Sequence, residues 1–175
     1  MEAIEAIMTR TSVRNFTQRP VSDKDLETIL KAGMSGPSCV NARQWSFVVV
    51  RNKETLQKMA EVNGQYAWPL KGADVGILVC GDLERAYPGS KDYWIIDASI
   101  ACQNMTLAAH GLGLGSVWLG TYPEENKFRG QAELFHLPKT IVPHSILGIG
   151  YPAKPPVVHP DKPEWEADRV HYEAW

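Results

Sequence analysis

Arg10-Thr11-Ser12-Val13-Arg14 gathers two guanidinium groups and two hydroxyls within five positions. In a turn such a set converges on one anion, whereas a strand would divide it between two faces. Phosphate suits it best, because guanidinium forks match its oxygens two at a time and hydroxyls fill the remaining acceptor positions. Each charge-assisted contact contributes roughly 1.5–3 kcal/mol, so a few together can hold a ligand. A solvated basic turn would satisfy the same residues, and the rest of the chain has to decide between the two readings.

Three further turns bear on that choice. Gly36-Pro37-Ser38-Cys39-Val40-Asn41-Ala42-Arg43-Gln44-Trp45 leads directly into an apolar run. Gly111-Leu112-Gly113-Leu114-Gly115-Ser116-Val117-Trp118-Leu119-Gly120 is rich in glycine, and Gly148-Ile149-Gly150-Tyr151-Pro152 follows later. The glycines at 111, 113 and 115 follow a helix pattern and precede a strand pattern. Pyrophosphate binding at a helix N-terminus needs the reverse order, so these glycines read as a helix stop and tight turn. Ser38 and Asn41 favour turns with or without a ligand. Of the three cysteines, Cys80 and Cys102 lie in apolar segments and read as buried free thiols. Cys39 lies in a polar turn, but no histidine follows at a distance that would mark it as a nucleophile.

The elements that must position these residues are legible from periodicity. Ile4, Ile7 and Met8 give helical spacing over 2–9. Ser22 caps a helix over 23–34 whose buried stripe is Leu26, Ile29 and Leu30, and Gly33 with Gly36-Pro37 stops it. Residues 45–50 read as a buried strand, 53–61 as a surface helix and 74–80 as a second strand. The segment 93–110 is helical in length yet apolar on nearly every face, so one small domain cannot cover it and a second subunit is expected to. A strand over 116–119, a helix over 124–135 and a strand over 145–150 complete the order. Asp97 and Asn104 share a face of the long helix and read as parts of a structural network. From Pro152 onward, repeated prolines exclude helix and central strand. Trp165, Tyr172 and Trp175 nevertheless need something to pack on, so the tail reads as an extended arm over a partner or folded back on its own domain.

With 175 residues, 44% of them hydrophobic, and a net charge of −2, the chain fits one domain over 1–175 with a proper core. An acidic balance argues against nucleic acid as a partner. No run is long enough to cross a membrane, and Glu2 and Glu5 interrupt any signal pattern. A reducing cytoplasm suits the three thiols.

Taken in order and spacing, the four motifs resemble the nitroreductase family of FMN-dependent oxidoreductases, and the similarity extends from Ile4 to Trp175. The resemblance implies an α+β fold, with a central, mostly antiparallel sheet flanked by helices. It also implies a C-terminal arm over 152–175 exchanged in a homodimer. Arg10, Ser12 and Arg14, with Thr11 between them, would bind the FMN phosphate and ribityl chain. Backbone N–H groups near Trp118, Leu119 and Gly120 would face the flavin at N5, and glycine at 120 would let the backbone approach a flat ring. Pro37, Ser38, Cys39 and Asn41 match the turn that reaches the flavin of the other subunit. The chain departs from the family at Arg43 and Gln44, where Gln-Pro is usual, leaving open which side chain meets the ring. A polar pair usual before the second strand is missing around 66–70, with Gln65 and Lys71 as substitutes. The C-terminal phosphate contact is matched by Lys162, with Lys154 as competitor. His171 reads as an anchor for the arm, and Tyr122 and Phe128 as borders of the substrate space.

The implied activity is NAD(P)H-dependent reduction of nitroaromatics, quinones or similar small aromatics, by ping-pong hydride transfer through flavin N5. FMN carries that chemistry, so no catalytic side-chain triad and no metal are expected. Rival readings are a specialised enzyme that cleaves flavin or removes halogens, a non-enzymatic flavin or nucleotide binder, and a structural dimer without cofactor. The short segment 82–93 offers no room for the lid a specialised enzyme would need.

Overall fold

Two apolar runs form the centre of the molecule: Val75–Asp82 (β2) and Ile141–Gly150 (β4), each buried along almost its whole length. Strands covered on both faces lose the usual alternation and read as continuous apolar sequence. Trp45–Val50 (β1) and Gly115–Gly120 (β3) flank them, giving a four-stranded antiparallel sheet in the order β1-β2-β4-β3. The computed structural model describes residues 1–89, 92–155 and 165–175.

Helices cover both faces of this sheet. Ala3–Thr9 forms α1 and Asp23–Met34 forms α2, the latter capped by Ser22, whose side chain accepts the Asp25 N–H. Lys53–Asn63 is α3, followed by a 3-10 helix over Gln65–Gly72. Tyr93–Gly111 is α4 and Glu125–Leu134 is α5. On one face Ile29, Ile77, Val79, Cys102, Met105 and Leu147 pack together, joining α2 and α4 to the sheet. On the other, Leu56, Met59, Leu70, Leu78, Val117 and Ile146 join α3, the 3-10 helix and the sheet. Among the described residues no helix is long and apolar enough to cross a membrane.

Several expectations are corrected or extended. Gly33 is the penultimate residue of α2 and has a second role beside the helix end: an added Cβ would sit 2.8 Å from Met105 Cγ, so the glycine permits close approach of α2 and α4. The run 45–50 is an edge strand with Val49 exposed, not a fully buried one. The surface helix expected over 53–61 runs two residues further, to Asn63, with Lys53, Glu54, Gln57, Lys58 and Glu61 exposed and Leu56, Met59, Ala60 and Asn63 buried. The last strand begins at Ile141, four residues earlier than expected. Pro143 breaks the sequence pattern there without breaking the strand, because the ladder shifts register at that point. Val79 pairs with Ser145 and Cys80 with Pro143, so His144 is the extra residue of a bulge.

Gly81 shows how tightly the sheet is covered. A Cβ there would collide with the ring of Trp94 on α4. Gly81→Ala is expected to cost about 1–3 kcal/mol as α4 is forced outward. A urea midpoint equal to that of the parent would contradict this.

Candidate cofactor site

The segment that carries Arg10 and Arg14 is attached along the outer edge of β3. Ser12 forms a parallel bridge with Ser116, and the Val13 N–H donates to the Ser116 carbonyl at 2.9 Å. Farther on, the Thr17 N–H donates to the Tyr151 carbonyl and the Ala153 N–H to that of Asn15, at 2.8 and 3.0 Å. The cationic segment is therefore sewn to two parts of the fold. Backbone groups two residues apart in a strand point the same way. Since the Ser116 carbonyl faces outward, Trp118 and Gly120 turn their N–H and C=O groups to the same open edge. At roughly 3.3 Å per residue, Ser116 and Gly120 lie about 13 Å apart. One edge thus has a cationic end and a backbone-donor end.

These features fit FMN. Among the described residues, neither Arg10 nor Arg14 has a carboxylate at ion-pair distance. At the far end, a Cβ added to Gly120 would meet nothing within 4 Å, so space lies open over that residue. Arg10 also acts on α4: burial and the Arg10 charge push the His110 imidazole below its ordinary range. His110 Nε2 lies 2.8 Å from Thr9 Oγ1, whose hydroxyl donates to the Glu5 carbonyl.

Behind β3 runs a hydrogen-bond chain whose direction is set at both ends. Trp118 Nε1 can only donate, and it does so to Ser145 Oγ at 2.7 Å. Ser99 Oγ donates to the Ile95 carbonyl at 2.7 Å, and a carbonyl can only accept. Between them, the Ser145 hydroxyl donates to His144 Nδ1 at 2.9 Å, and His144 Nε2–H donates to Ser99 Oγ at 3.2 Å. His144 is consequently a neutral Nε2–H tautomer, and burial pushes its pKa down to about 4. The bulge makes the chain possible, because it turns the neighbours His144 and Ser145 toward the same face.

The turn over 37–44 is tied elsewhere. Its described hydrogen bonds run within the turn, to α4 and to Asp82, none of them to residues 10–14 or β3. Asp97 Oδ1 accepts the Cys39 N–H at 3.1 Å, and burial pushes this carboxyl above its usual range. Asn104 Nδ2 donates to the Ala32 carbonyl on α2 at 3.2 Å, so both polar residues of the long helix hold neighbouring backbone. Val40, Asn41 and Arg43 all adopt positive φ, at 45°, 57° and 53°. Pro37 and Asn41 are exposed, and Ser38 and Cys39 half-buried. Gln44 is fully buried with its amide unpaired, whereas Arg43 is exposed, so of these two departures from the family only Arg43 can reach a ligand.

The remaining candidates separate. Gln65 starts the 3-10 helix two residues after Asn63, whose side chain touches Gly120, while Lys71 lies 3.9 Å from Glu61. Lys154 follows Ala153 and is thereby held near the segment carrying Arg14, whereas Lys162 lies outside the described residues. Tyr122 packs against Trp94 and Phe128, with ring centroids 5.0 and 5.6 Å apart. His171 stacks on Trp175 at 4.2 Å. Cys80 and Cys102 are buried free thiols, and burial pushes Cys80 up to about 12. Sequence reasoning missed Asn63, Thr121, His144 and Ser145. Asn63 precedes Gly64 and reads as an ordinary helix end, and His144 follows a proline that hides the strand.

The family model described as "Nitroreductase family" matches residues 7–79 and 68–151. A Methanothermobacter thermautotrophicus protein named as an NADH dehydrogenase/NAD(P)H nitroreductase is 45% identical over 177 residues, spanning 100% of this chain and 88% of the relative. The Bacillus subtilis FMN reductase [NAD(P)H] is 32% identical, over 93% of this chain and 71% of its own length. Among solved structures, an NADH dehydrogenase/NAD(P)H nitroreductase from Parabacteroides distasonis superposes with a TM-score of 0.91. It is 32% identical and the match covers 99% of this chain and 98% of that one.

The buried imidazole makes stability depend on pH. His144 titrates near 4 when folded and near 6.5 in its ordinary state. The unfolded chain therefore binds the extra proton first as pH falls. Stability is full above about 6.5, declines by up to about 1.4 kcal/mol per unit down to about 4, and levels off below. Urea midpoints at pH 7.5 and 5 should differ clearly less for His144→Gln than for the parent. An equal pH dependence would remove His144 as the cause.

Proposed function

Since the chain belongs to the nitroreductase family, we propose that it is an FMN-dependent NAD(P)H oxidoreductase acting on nitroaromatics, quinones or similar small oxidised aromatics. The observation that carries this reading is the single open edge of β3: at one end two guanidinium groups with no carboxylate at ion-pair distance among the described residues, and at the other the outward Gly120 backbone with open space over that residue. Bound FMN supplies the redox chemistry, taking hydride from NADH or NADPH and passing it to the acceptor in alternation. Arg10 and Arg14, with Thr11 and Ser12, hold the phosphate, and Lys154 or Lys162 adds a further charge. Trp118 and Gly120 present outward backbone to the ring, whereas Leu119 turns its N–H to β4, and the Gly120 N–H supplies a dipole toward the side where charge changes. Half-exposed Trp118 leaves a flat approach beside this edge, which suits planar acceptors of varied structure.

We further read the whole chain, 1–175, as one FMN-binding domain working as a homodimer. Ile4, Ile7 and Met8 on α1 are 67%, 49% and 41% exposed, and Ile96 on the otherwise apolar α4 is 51% exposed. Trp165, Tyr172 and Trp175 are also exposed. A second copy would cover such surface, and the turn Pro37–Asn41 with Ser38 and Cys39 of one protomer would then complete the site of the other. Three unpaired thiols suit a cytoplasmic enzyme.

Purified protein loaded with FMN and desalted should keep a protein-bound flavin spectrum that bleaches anaerobically on addition of NADH or NADPH. Loss of all flavin on desalting would overturn the proposal. Arg14→Ala removes one charge-assisted contact of roughly 1.5–3 kcal/mol, so FMN should bind about 10- to 100-fold more weakly while the oligomeric state is unchanged. Truncation after Gly150 should abolish the dimer in sedimentation. A flavin-loaded dimer lacking the arm would refute the exchanged-arm reading.

A further inference from the structure

We propose that Asn63 is a positioning residue that fixes the cofactor-facing end of β3, an inference that rests on the FMN reading above. Asn63 is the last residue of α3 and 4% exposed. Its Nδ2 donates to the Gly120 carbonyl at 3.0 Å, and its Oδ1 accepts from Thr121 Oγ1 at 2.8 Å. The amide orientation is unambiguous, because the Gly120 carbonyl cannot donate. Both halves of the amide are thus spent on two consecutive residues of one turn.

The same peptide is held from its other side. The His144 carbonyl accepts the Thr121 N–H at 3.3 Å and the Tyr122 N–H at 2.9 Å. The Gly120–Thr121 peptide therefore has its oxygen fixed by α3 and its N–H fixed by the bulge of β4. Gly120 is an exposed glycine at a strand end over open space, where the backbone would otherwise have wide freedom. A helix normally ends with solvated carbonyls and a free side chain, but α3 ends by aiming a buried amide at a residue 57 positions away.

The consequence lies in preorganisation. A backbone donor helps a bound ring only if it already points correctly, and reorientation on binding subtracts from affinity. The Gly120 N–H lies on the preceding peptide, which the pairing of Leu119 with Ile146 holds. Fixing the following peptide through the Gly120 carbonyl leaves the residue between them little freedom in φ and ψ and keeps this strand end from fraying. Gly64 follows Asn63 at φ 88°, which lets the chain leave α3 abruptly and start the 3-10 helix at Gln65. Asn63 accordingly joins the end of α3 to the turn that follows the Gly120 donor.

The test compares Asn63→Ala, Thr121→Val and Thr121→Ser with the parent, reading FMN dissociation constant, midpoint potential of bound FMN, and exchange of the Thr121 amide in cofactor-free protein. Asn63→Ala is expected to weaken FMN about 3- to 10-fold, to shift the midpoint potential, and to speed the exchange of Thr121. Thr121→Val should act in the same direction and Thr121→Ser should restore parent values, so the threonine pair decides the matter if Asn63→Ala fails to fold. Parent-like affinity and potential in folded Asn63→Ala, or in Thr121→Val, would overturn the proposal. If the parent itself keeps no FMN, the functional reading fails instead. The clamp is then judged in cofactor-free protein, where unchanged Thr121 exchange in the variants overturns it and faster exchange upholds it.

Discussion

The outer edge of β3 imposes the constraint on which the rest of the structure depends. A strand at the end of a sheet exposes N–H and C=O groups that pair with anything extended. Here the first part of that edge is occupied by the chain's own N-terminal segment, through Ser12 and Val13 on Ser116. The second part is left open, bounded by Asn63 from α3 and by the turn at Thr121. Partial occupation makes the edge short and specific rather than sticky. It also places side chains of one sign next to bare backbone, an arrangement that neither a closed sheet nor a free helix can provide.

Keeping such an edge in place requires a stiff support, and the sheet supplies it through unusual use of polar groups. β4 is bonded on both sides and covered on both faces, yet it carries His144 and Ser145 in its interior. Burying polar atoms costs free energy unless each finds a partner. The bulge meets this condition by pointing both side chains into one relay, from the indole of Trp118 to the Ile95 carbonyl on α4. Apolar packing alone could slide by a fraction of an ångström, but a directed relay has one register. The open edge, the relay and α4 consequently form one mechanical unit.

Much of this was legible in the sequence. The Ser22 cap, the strand over 45–50 and the long apolar helix follow from local chemistry and periodicity, and all three lie where the pattern places them. The cationic cluster and the glycine-rich turn could be recognised separately. Their meeting on one strand edge could not be read from spacing alone, since it depends on a bridge between residues 104 positions apart in the chain. Asn63, Thr121 and His144 were invisible for a related reason: each acts through bonds to residues far away in the chain, which leave no periodic trace. Pro143 misled, because a proline opposite a bulge need not interrupt its strand. Gly33 could be read as belonging to the helix end, but its close packing on Met105 could not.

The turn at 38–43 has a bearing on sequence design. A method that chose residues for this backbone by local preference would place glycine or asparagine at 40, 41 and 43, since left-handed geometry costs other residues about 1–2 kcal/mol each. The natural chain has valine and arginine at two of these positions. Recoding them for stability would erase what the exposed Val40 and Arg43 side chains present at the surface. A stabilised version of this fold is therefore best obtained by leaving that turn untouched and working on α5 or the exposed face of α2.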